Sequence, residues 1–322
     1  MKTPVLIHGE CIEEIKRLDD LSIHAVCTDP PYGIVEFSAH EVAKLRAGKG
    51  GVWRLPPNWD GCERRPLPRF TILTTVQKKG IETFFRQWAS VLKPKLRPGA
   101  HVLIAGNSTL QMYVQSALVA EGFESRATIL RLYHGFRGGD RPKNAEKEFP
   151  EVCVTPRGNY EPWMLFRNPI SEKTVAENLR KWETGALRML EGGKPLPDVI
   201  PSFKTPARER EIADHPSLKP QHLLRIFVRT LLPLGRGVIL DPFMGSGSTI
   251  AAASALDCEA IGIEIDSEFF AMAQKTVPAL AELYPNMAGE SIDFPDSNVE
   301  REELHEQMVL LEPRIRYGIR AR

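Results

Sequence analysis

Short apolar runs that end abruptly, each joined to the next by a segment of helical periodicity, constrain this chain more than any other feature. The pattern is densest between residues 220 and 266. There "PQHLLRIFVRTLL" has helical spacing, "RGVILDP" is a short apolar run, "STIAAASALD" is again helical, and "EAIGIEID" is a second apolar run. The same alternation opens the chain. "PVLIHG" and "HAVCTD" flank "CIEEIKRLDD", in which Ile12, Ile15 and Leu18 recur at helical intervals. A middle block repeats it with "IETFFRQWASVL" as helix, "AHVLIAG" as strand, "STLQMYVQSALVAEG" as helix and "SRATILRLY" as strand. Strands separated by crossover helices pair in parallel, so the expected architecture is an α/β fold with a mostly parallel twisted sheet and helices on both faces. No period of 20 to 50 residues recurs, which excludes a solenoid.

Two stretches interrupt the alternation. Residues 36–75 carry Gly48, Gly50, Gly51, Pro56, Pro57, Pro66 and Pro68 and read as an irregular insertion. Residues 170–213 are the second, with a helical opening in "SEKTVAENLRKWETGALRML" followed by "GGKPLP" and "IPSFKTP". Beyond residue 284 lies an appended tail with a helical stretch and an arginine-rich end. The overall net charge of +1 hides an uneven distribution. Residues 36–86 hold ten Lys or Arg against five Asp or Glu, and residues 126–211 hold sixteen against twelve. Both segments suit a polyanionic partner, although a solvated surface would carry the same excess.

The run "HAVCTD" ends in "DPPYG", residues 29–33. Two prolines fix φ and remove two backbone donors, so the strand must stop there. What remains is a stiff turn presenting the Asp29 carboxylate, the carbonyls of Pro30 and Pro31, and the ring of Tyr32.

A second turn, "DPFMGSGST", follows the strand that ends at Asp241. Gly245 and Gly247 allow close approach of a ligand to the backbone, and the helix behind them offers free N–H groups. Glu264, seventeen residues past Gly247, ends the next strand, where a carboxylate accepts from ribose hydroxyls. A nucleoside-containing cofactor is implied. A phosphate-binding loop would need a lysine that "GSGSTI" lacks, and a dinucleotide fingerprint would need a third glycine where Ile250 stands. Asp241 would repel a phosphate but suits an ammonium group, a combination met in S-adenosylmethionine.

"TDPPYG" followed much later by "DPFMGSGST" resembles the amino-methyltransferases of DNA, and the order of the two motifs resembles the circularly permuted β group. "HPSLKP", residues 215–220, is similar to the segment that covers the methionine end of the cofactor. "LIHGECIEEIK" is similar to the family's opening, with Glu10 where Asp is usual. "VLKPKLRPGAHVLI" and "YEPWMLFRNP" also match family segments.

The resemblance implies a Rossmann-like methyltransferase fold, circularly permuted, with an inserted target-recognition region. It implies a catalytic half over 1–169 with the basic insertion at 36–75, target recognition over 170–213, a cofactor-binding half over 214–284 and an extension over 285–322. Its implied catalytic group is Asp29, Pro30, Pro31 and Tyr32. The implied cofactor contacts are Glu10, Cys11, Asp29, His215, Ser217, Lys219, Asp241, Phe243, Gly245, Ser246, Gly247, Glu264 and Asp266. Lys219 is offered to the cofactor carboxylate in preference to a surface acid, Phe243 to the cofactor or the core, and Ser246 to a helix cap.

An exocyclic amine is a poor nucleophile because its lone pair is delocalised into the ring. Acceptors at Asp29 and the Pro30 carbonyl draw it toward a tetrahedral form, and Tyr32 stacks on a flipped base. The expected reaction is methylation of adenine N6, with cytosine N4 as the alternative. A nucleotide-dependent oxidoreductase, a non-catalytic nucleic-acid-binding relative, and RNA or a protein side-chain amide as methyl acceptor are the remaining readings. Double-stranded DNA is the expected partner, with Arg64 and Arg65 on its phosphates. A homodimer and a cognate restriction endonuclease are further partners that the resemblance admits. No metal site is expected, because Cys11, Cys27, Cys62, Cys153 and Cys258 lack C-x-x-C pairing. The odd cysteine number, the lack of a membrane-spanning run and the short apolar stretch at the N-terminus point to the cytoplasm.

Overall fold

The computed structural model describes residues 2–31, 73–132, 142, 144–145, 147–156, 158–202, 204–213, 215 and 217–289. Tyr32, Arg64, Arg65, nearly all of the 36–75 insertion and the tail beyond residue 289 lie outside the described residues.

Among the described residues, eight strands form one sheet: β1 (Val5–His8), β2 (Ile23–Thr28), β3 (Leu96–Ala105), β4 (Glu124–Leu132), β5 (Tyr160–Arg167), β6 (Val199–Pro201), β7 (Val238–Asp241) and β8 (Glu259–Glu264), in the order β1-β8-β7-β2-β3-β5-β4-β6. All neighbouring pairs are parallel except those made by β5, which runs against both β3 and β4. β2 sits centrally and every one of its residues is buried, as expected of a parallel strand covered on both faces.

The helices are α1 (Cys11–Arg17), α2 (Thr75–Leu92), α3 (Gln111–Ala120), α4 (Val175–Trp182), α5 (Ala207–Ile212), α6 (Gln221–Leu231), α7 (Ser248–Ala255) and α8 (Ser267–Glu282). Two cores divide them. Ile12, Ile15, Phe85, Trp88 and Leu118 from α1, α2 and α3 pack with Val26, Ile104 and Leu240 on one face of the sheet. On the other face, Leu223, Phe227, Ile250, Ala252 and Val277 from α6, α7 and α8 pack with Ala25, Cys27, Leu103 and Ile239. Ala25, Val26 and Cys27 alternate between the two cores, the period-two signature of a strand.

Local chemistry sets the helix ends. Thr74 and Gln77 form a capping box at α2, and Asp266 caps α8 by accepting from the N–H groups of Glu268 and Phe269. α7 begins at Gly247, whose φ of +86° suits glycine, and a Cβ there would lie 2.4 Å from Val277 Cγ2. Its Ala- and Ser-rich surface lets residues 248–254 lie buried between α6, α8 and the sheet.

Three segments differ from the sequence reading. "YEPWMLFRNP" supplies an antiparallel central strand. The helix expected over 171–190 stops after Trp182, because Glu183 adopts a left-handed φ of 64°. Within the stretch read as irregular, Val199–Pro201 joins the sheet edge as β6 and Ala207–Ile212 forms α5. Among the described residues no helix is long and apolar enough to cross a membrane.

Candidate active site

Parallel pairing brings the C-terminal ends of β1, β8, β7 and β2 to one edge of the sheet, in that order. Adjacent strands lie about 4.8 Å apart, so four strand ends span roughly 14 Å. Glu10 follows β1, Glu264 ends β8, the glycine turn follows β7, and Asp29 follows β2. Residues far apart in the sequence thus form one row. Between β7 and β2 the crossover helices change face, and open α/β sheets bind ligands at such switch points.

At the first position Glu10 caps α1, with Oε2 accepting from the Glu13 N–H at 3.0 Å and Oε1 from Cys11 Sγ at 3.2 Å. Burial raises its pKa, but the N–H groups of Glu13 and Ile12 outweigh this and hold it below the ordinary value. Burial, with the Glu10 carboxylate beside it, keeps Cys11 a thiol.

Glu264 is 9% exposed at the end of β8. Oε2 accepts from the Gly245 N–H at 2.9 Å and Oε1 from the Asp266 N–H at 2.8 Å. Each oxygen keeps a further lone pair, so the carboxylate both ties the glycine turn to β8 and retains capacity for hydroxyls. Asp266 itself is exposed and serves as the α8 cap.

Gly245 and Gly247 both have positive φ, and a Cβ on Gly245 would lie 3.1 Å from His215 Nε2. The turn is therefore a bare backbone cradle closed by the His215 ring, which itself meets Phe269 edge-on at 4.5 Å. Burial, and secondarily the charge of Lys219, lowers the His215 pKa to about 4. Ser246 is buried at the turn. Phe243 is half-buried with its ring 6.2 Å from those of Phe84 and Trp88, packed toward α2. A diol acceptor beside a side-chain-free turn fits a nucleoside cofactor.

Asp241 is turned inward. It is 2% exposed, and its Oδ1 accepts from Thr28 Oγ1 at 2.6 Å and from the Phe243 N–H at 3.2 Å. Burial raises its pKa to about 6 against the lowering effect of those bonds and of Thr249. The acid that the sequence offered to an ammonium group is thus buried and bonded to β2 and to its own turn.

Asp29 is only partly buried, Pro30 is buried beside it and Pro31 is exposed. Its Oδ2 accepts from Ser217 Oγ at 3.2 Å and from Lys219 Nζ in a close ion pair. Lys219, 7% exposed, also lies 3.3 Å from Glu161 Oε1. Burial would lower its pKa, but the Asp29 and Glu161 carboxylates outweigh that and raise it. Lys219, which the sequence reading assigns to the cofactor carboxylate in preference to a surface acid, lies against the chain's own Asp29 and Glu161 carboxylates. Glu161, its partner Arg131, and Thr28 escaped the sequence reading. The one available signal for Glu161 was an acid inside the apolar run "YEPWMLF".

The family profile described as DNA methylase matches residues 23–275. The Type II methyltransferase M2.DpnII of Streptococcus pneumoniae is 25% identical over 279 residues, covering 85% of this chain and 90% of that protein. The Type II methyltransferase M.HindIII of Haemophilus influenzae is 23% identical over 292 residues, covering 83% and 93%. Among solved structures, the cytosine-N4-specific PvuII DNA methyltransferase matches with a TM-score of 0.55 at 14% identity, over 90% of this chain and 94% of that one. The M1.HpyAVI complex with SAM matches with a TM-score of 0.51 at 18% identity, over 85% and 99%. These two share the Rossmann-like methyltransferase fold. With a single family profile spanning both turns and the strands that carry them, the chain belongs to the DNA methylase family, the amino-methyltransferases of the β group.

Proposed function

We propose that this DNA amino-methyltransferase acts on the N6 amine of adenine, in a base turned out of double-stranded DNA. The observation that carries the reading is the Asp29 carboxylate at the end of β2, next in the row to the glycine turn of β7. S-adenosylmethionine is the cofactor, and it supplies an electrophilic methyl group on a sulfonium. Glu264 would accept from the ribose diol, and Glu10 and Cys11 would border the adenine. The turn at Gly245 and Gly247, covered by His215, would hold the amino-acid end.

Asp29 and the Pro30 carbonyl accept the two N–H bonds of the target amine. As these bonds strengthen, the nitrogen lone pair leaves the ring system and becomes available for in-line attack. Buried Pro30 keeps the pair rigid, which matters because displacement is sensitive to misplacement of about an ångström. Tyr32, carried over from the family motif, stacks on the flipped base. Arg64 and Arg65 in the basic insertion would meet phosphates, and residues 170–213 would contribute to target recognition. The relatives M2.DpnII and M.HindIII are Type II methyltransferases, which favours a cognate endonuclease as partner.

Adenine is favoured because family members with Asp at the first motif position mostly resemble adenine enzymes. Cytosine N4 is the second reading, since the fold also matches a cytosine-N4-specific methyltransferase. Nucleoside mass spectrometry of DNA treated with pure enzyme and S-adenosylmethionine decides between them. N6-methyladenine is expected, and N4-methylcytosine alone would move the assignment to cytosine while keeping the mechanism.

A further inference from the structure

Behind Asp29 four charged side chains from separate elements alternate in sign. Glu161 on β5 is 2% exposed and stands directly across from Arg131 on β4, itself 4% exposed. Arg131 Nη1 donates to Glu161 Oε2 at 3.0 Å, and Trp163 Nε1 donates to the same oxygen at 2.9 Å. Arg131 Nε also donates to Ser202 Oγ at 2.9 Å, which ties the guanidinium to the segment behind β6. The other Glu161 oxygen faces Lys219, and Lys219 contacts Asp29. The series Arg131, Glu161, Lys219, Asp29 therefore runs along the reacting edge of the sheet, from the end of β4 and the start of β5 to the turn behind β2.

Stability is a weak reason for such a series. Desolvating ions costs several kcal/mol each, and buried ion pairs are often replaceable by apolar side chains without loss. Function gives a stronger one. Asp29 sits near a second acid, Asp241, whose raised pKa includes repulsion from Asp29. An acceptor for an amine must remain ionised and must point in one direction. A cation in contact favours the ionised form, and a cation anchored on its far side cannot swing away.

We infer that Glu161 is a positioning residue for methyl transfer, holding Lys219 against Asp29 and thereby fixing the charge and direction of the amine acceptor. The inference rests on Asp29 being that acceptor. The charged and titratable groups that bear on it are Lys219 and His215 on the segment before α6, Asp241 on β7, Glu161 on β5, Arg131 on β4 and Cys27 on β2, beside the hydroxyl of Ser217.

The test measures single-turnover methyl transfer to DNA against pH for the full-length parent, Lys219→Met, Glu161→Gln and the double variant, with S-adenosylmethionine affinity measured by calorimetry. Lys219→Met should move the acid limb of the rate upward by about 1–3 pH units, the span by which a contacting cation depresses an aspartate. Adding Glu161→Gln removes a like charge from the neighbourhood, so the limb should move back toward the parent. Glu161→Gln alone should lower the plateau rate about tenfold or more, with cofactor affinity within a few-fold.

The double variant keeps the cluster neutral and carries the test if Lys219→Met does not fold. Its plateau should also fall at least about tenfold, and an unchanged plateau overturns the inference. Acid limbs that coincide in an active parent and its variants overturn it too, as does a loss confined to cofactor affinity, which would return Lys219 to the cofactor. A parent that methylates no DNA overturns the proposed function, and this inference with it.

Discussion

Adjacent parallel strands β2 and β7 end in the same dipeptide, Asp29-Pro30 and Asp241-Pro242, and the two acids have opposite fates. Asp29 is partly exposed and meets a cation and a hydroxyl from the segment before α6. Asp241 is buried, accepts from a threonine and a backbone N–H, and has its pKa raised to about 6 by burial. The difference is one of position along the strands. Val26 pairs with Leu240, so Asp241 lies one residue past that pair and Asp29 three. Both side chains fall on the same face by alternation, but Asp241 is still enclosed between the strands while Asp29 stands two residues farther out, at the open edge. Thr28 Oγ1 reaching Asp241 Oδ1 is the seam between the two turns. Identical local chemistry therefore yields an acceptor in one turn and a staple in the other.

The largest expected effect breaks the acceptor. Asp29→Ala should reduce methyl transfer by roughly 10²–10⁴-fold, the range for loss of a positioned acid–base group. Cofactor affinity should stay within a few-fold of the parent, because Glu264 and the glycine turn are untouched. A tritiated-methyl assay beside calorimetry reads both quantities. Near-normal turnover would remove Asp29 from the chemistry and leave the two Asp-Pro turns functionally alike.

Glu264→Ala should act on binding instead. Loss of charge-assisted hydrogen bonds to a ribose costs about 1.5–3 kcal/mol, or roughly a 10- to 150-fold weaker Kd. The truncation also frees the Gly245 and Asp266 N–H groups, so Glu264→Gln, which keeps an oxygen acceptor, should recover part of the loss. Calorimetry on both variants checks this, and an unchanged affinity in Glu264→Ala would take the ribose away from β8.

Most of the parallel sheet was legible because its strands are covered on both faces and read as unbroken apolar runs. "HAVCTD" and "VILD" needed no long-range information. β5 was not legible as a strand, since Glu161, Pro162 and Arg167 interrupt its apolar character. Its antiparallel place between β3 and β4 depends on pairing that no local pattern encodes. The end of α4 at Glu183 carries no glycine to announce it. Within the site, the two motif turns and Glu264 were readable because glycine, proline and a strand-end acid have specific backbone meanings. Glu161 and Arg131 were not, because charged residues in a strand ordinarily face water. Only the register that sets them opposite each other makes a buried pair. Lys219 was visible as a candidate, but its contacts with Asp29 and with Glu161, 58 residues earlier in the chain, arise only in the fold.

The smallest expected effect sharpens the staple. Asp241 has a folded-state pKa of about 6 against an ordinary 3.8, so between those values the folded protein holds a proton that the unfolded chain has released. Its contribution therefore favours folding below about pH 4, is lost as pH rises toward 6, and is a constant penalty above that. Asp241→Asn cannot titrate and keeps an oxygen to accept from Thr28 and the Phe243 N–H. The amide also carries an NH₂ that needs an acceptor of its own, so the net gain at pH 7 should be on the order of 1 kcal/mol. For a chain of this size that is about 2 °C in Tm. The measurement is the difference in Tm between variant and parent from pH 4 to pH 7.5. His215, His24 and Glu209 also have displaced pKa values, but they are common to both proteins and cancel in the difference. The difference should move in the variant's favour as pH rises and level off above pH 6, with cofactor affinity within a few-fold throughout. A difference that stays flat would mean that Asp241 is charged in the folded protein at every pH tested. A collapse of cofactor binding would give Asp241 the cofactor's ammonium group after all, and the contrast between the two turns would then lie in which part of the reaction each carboxylate serves.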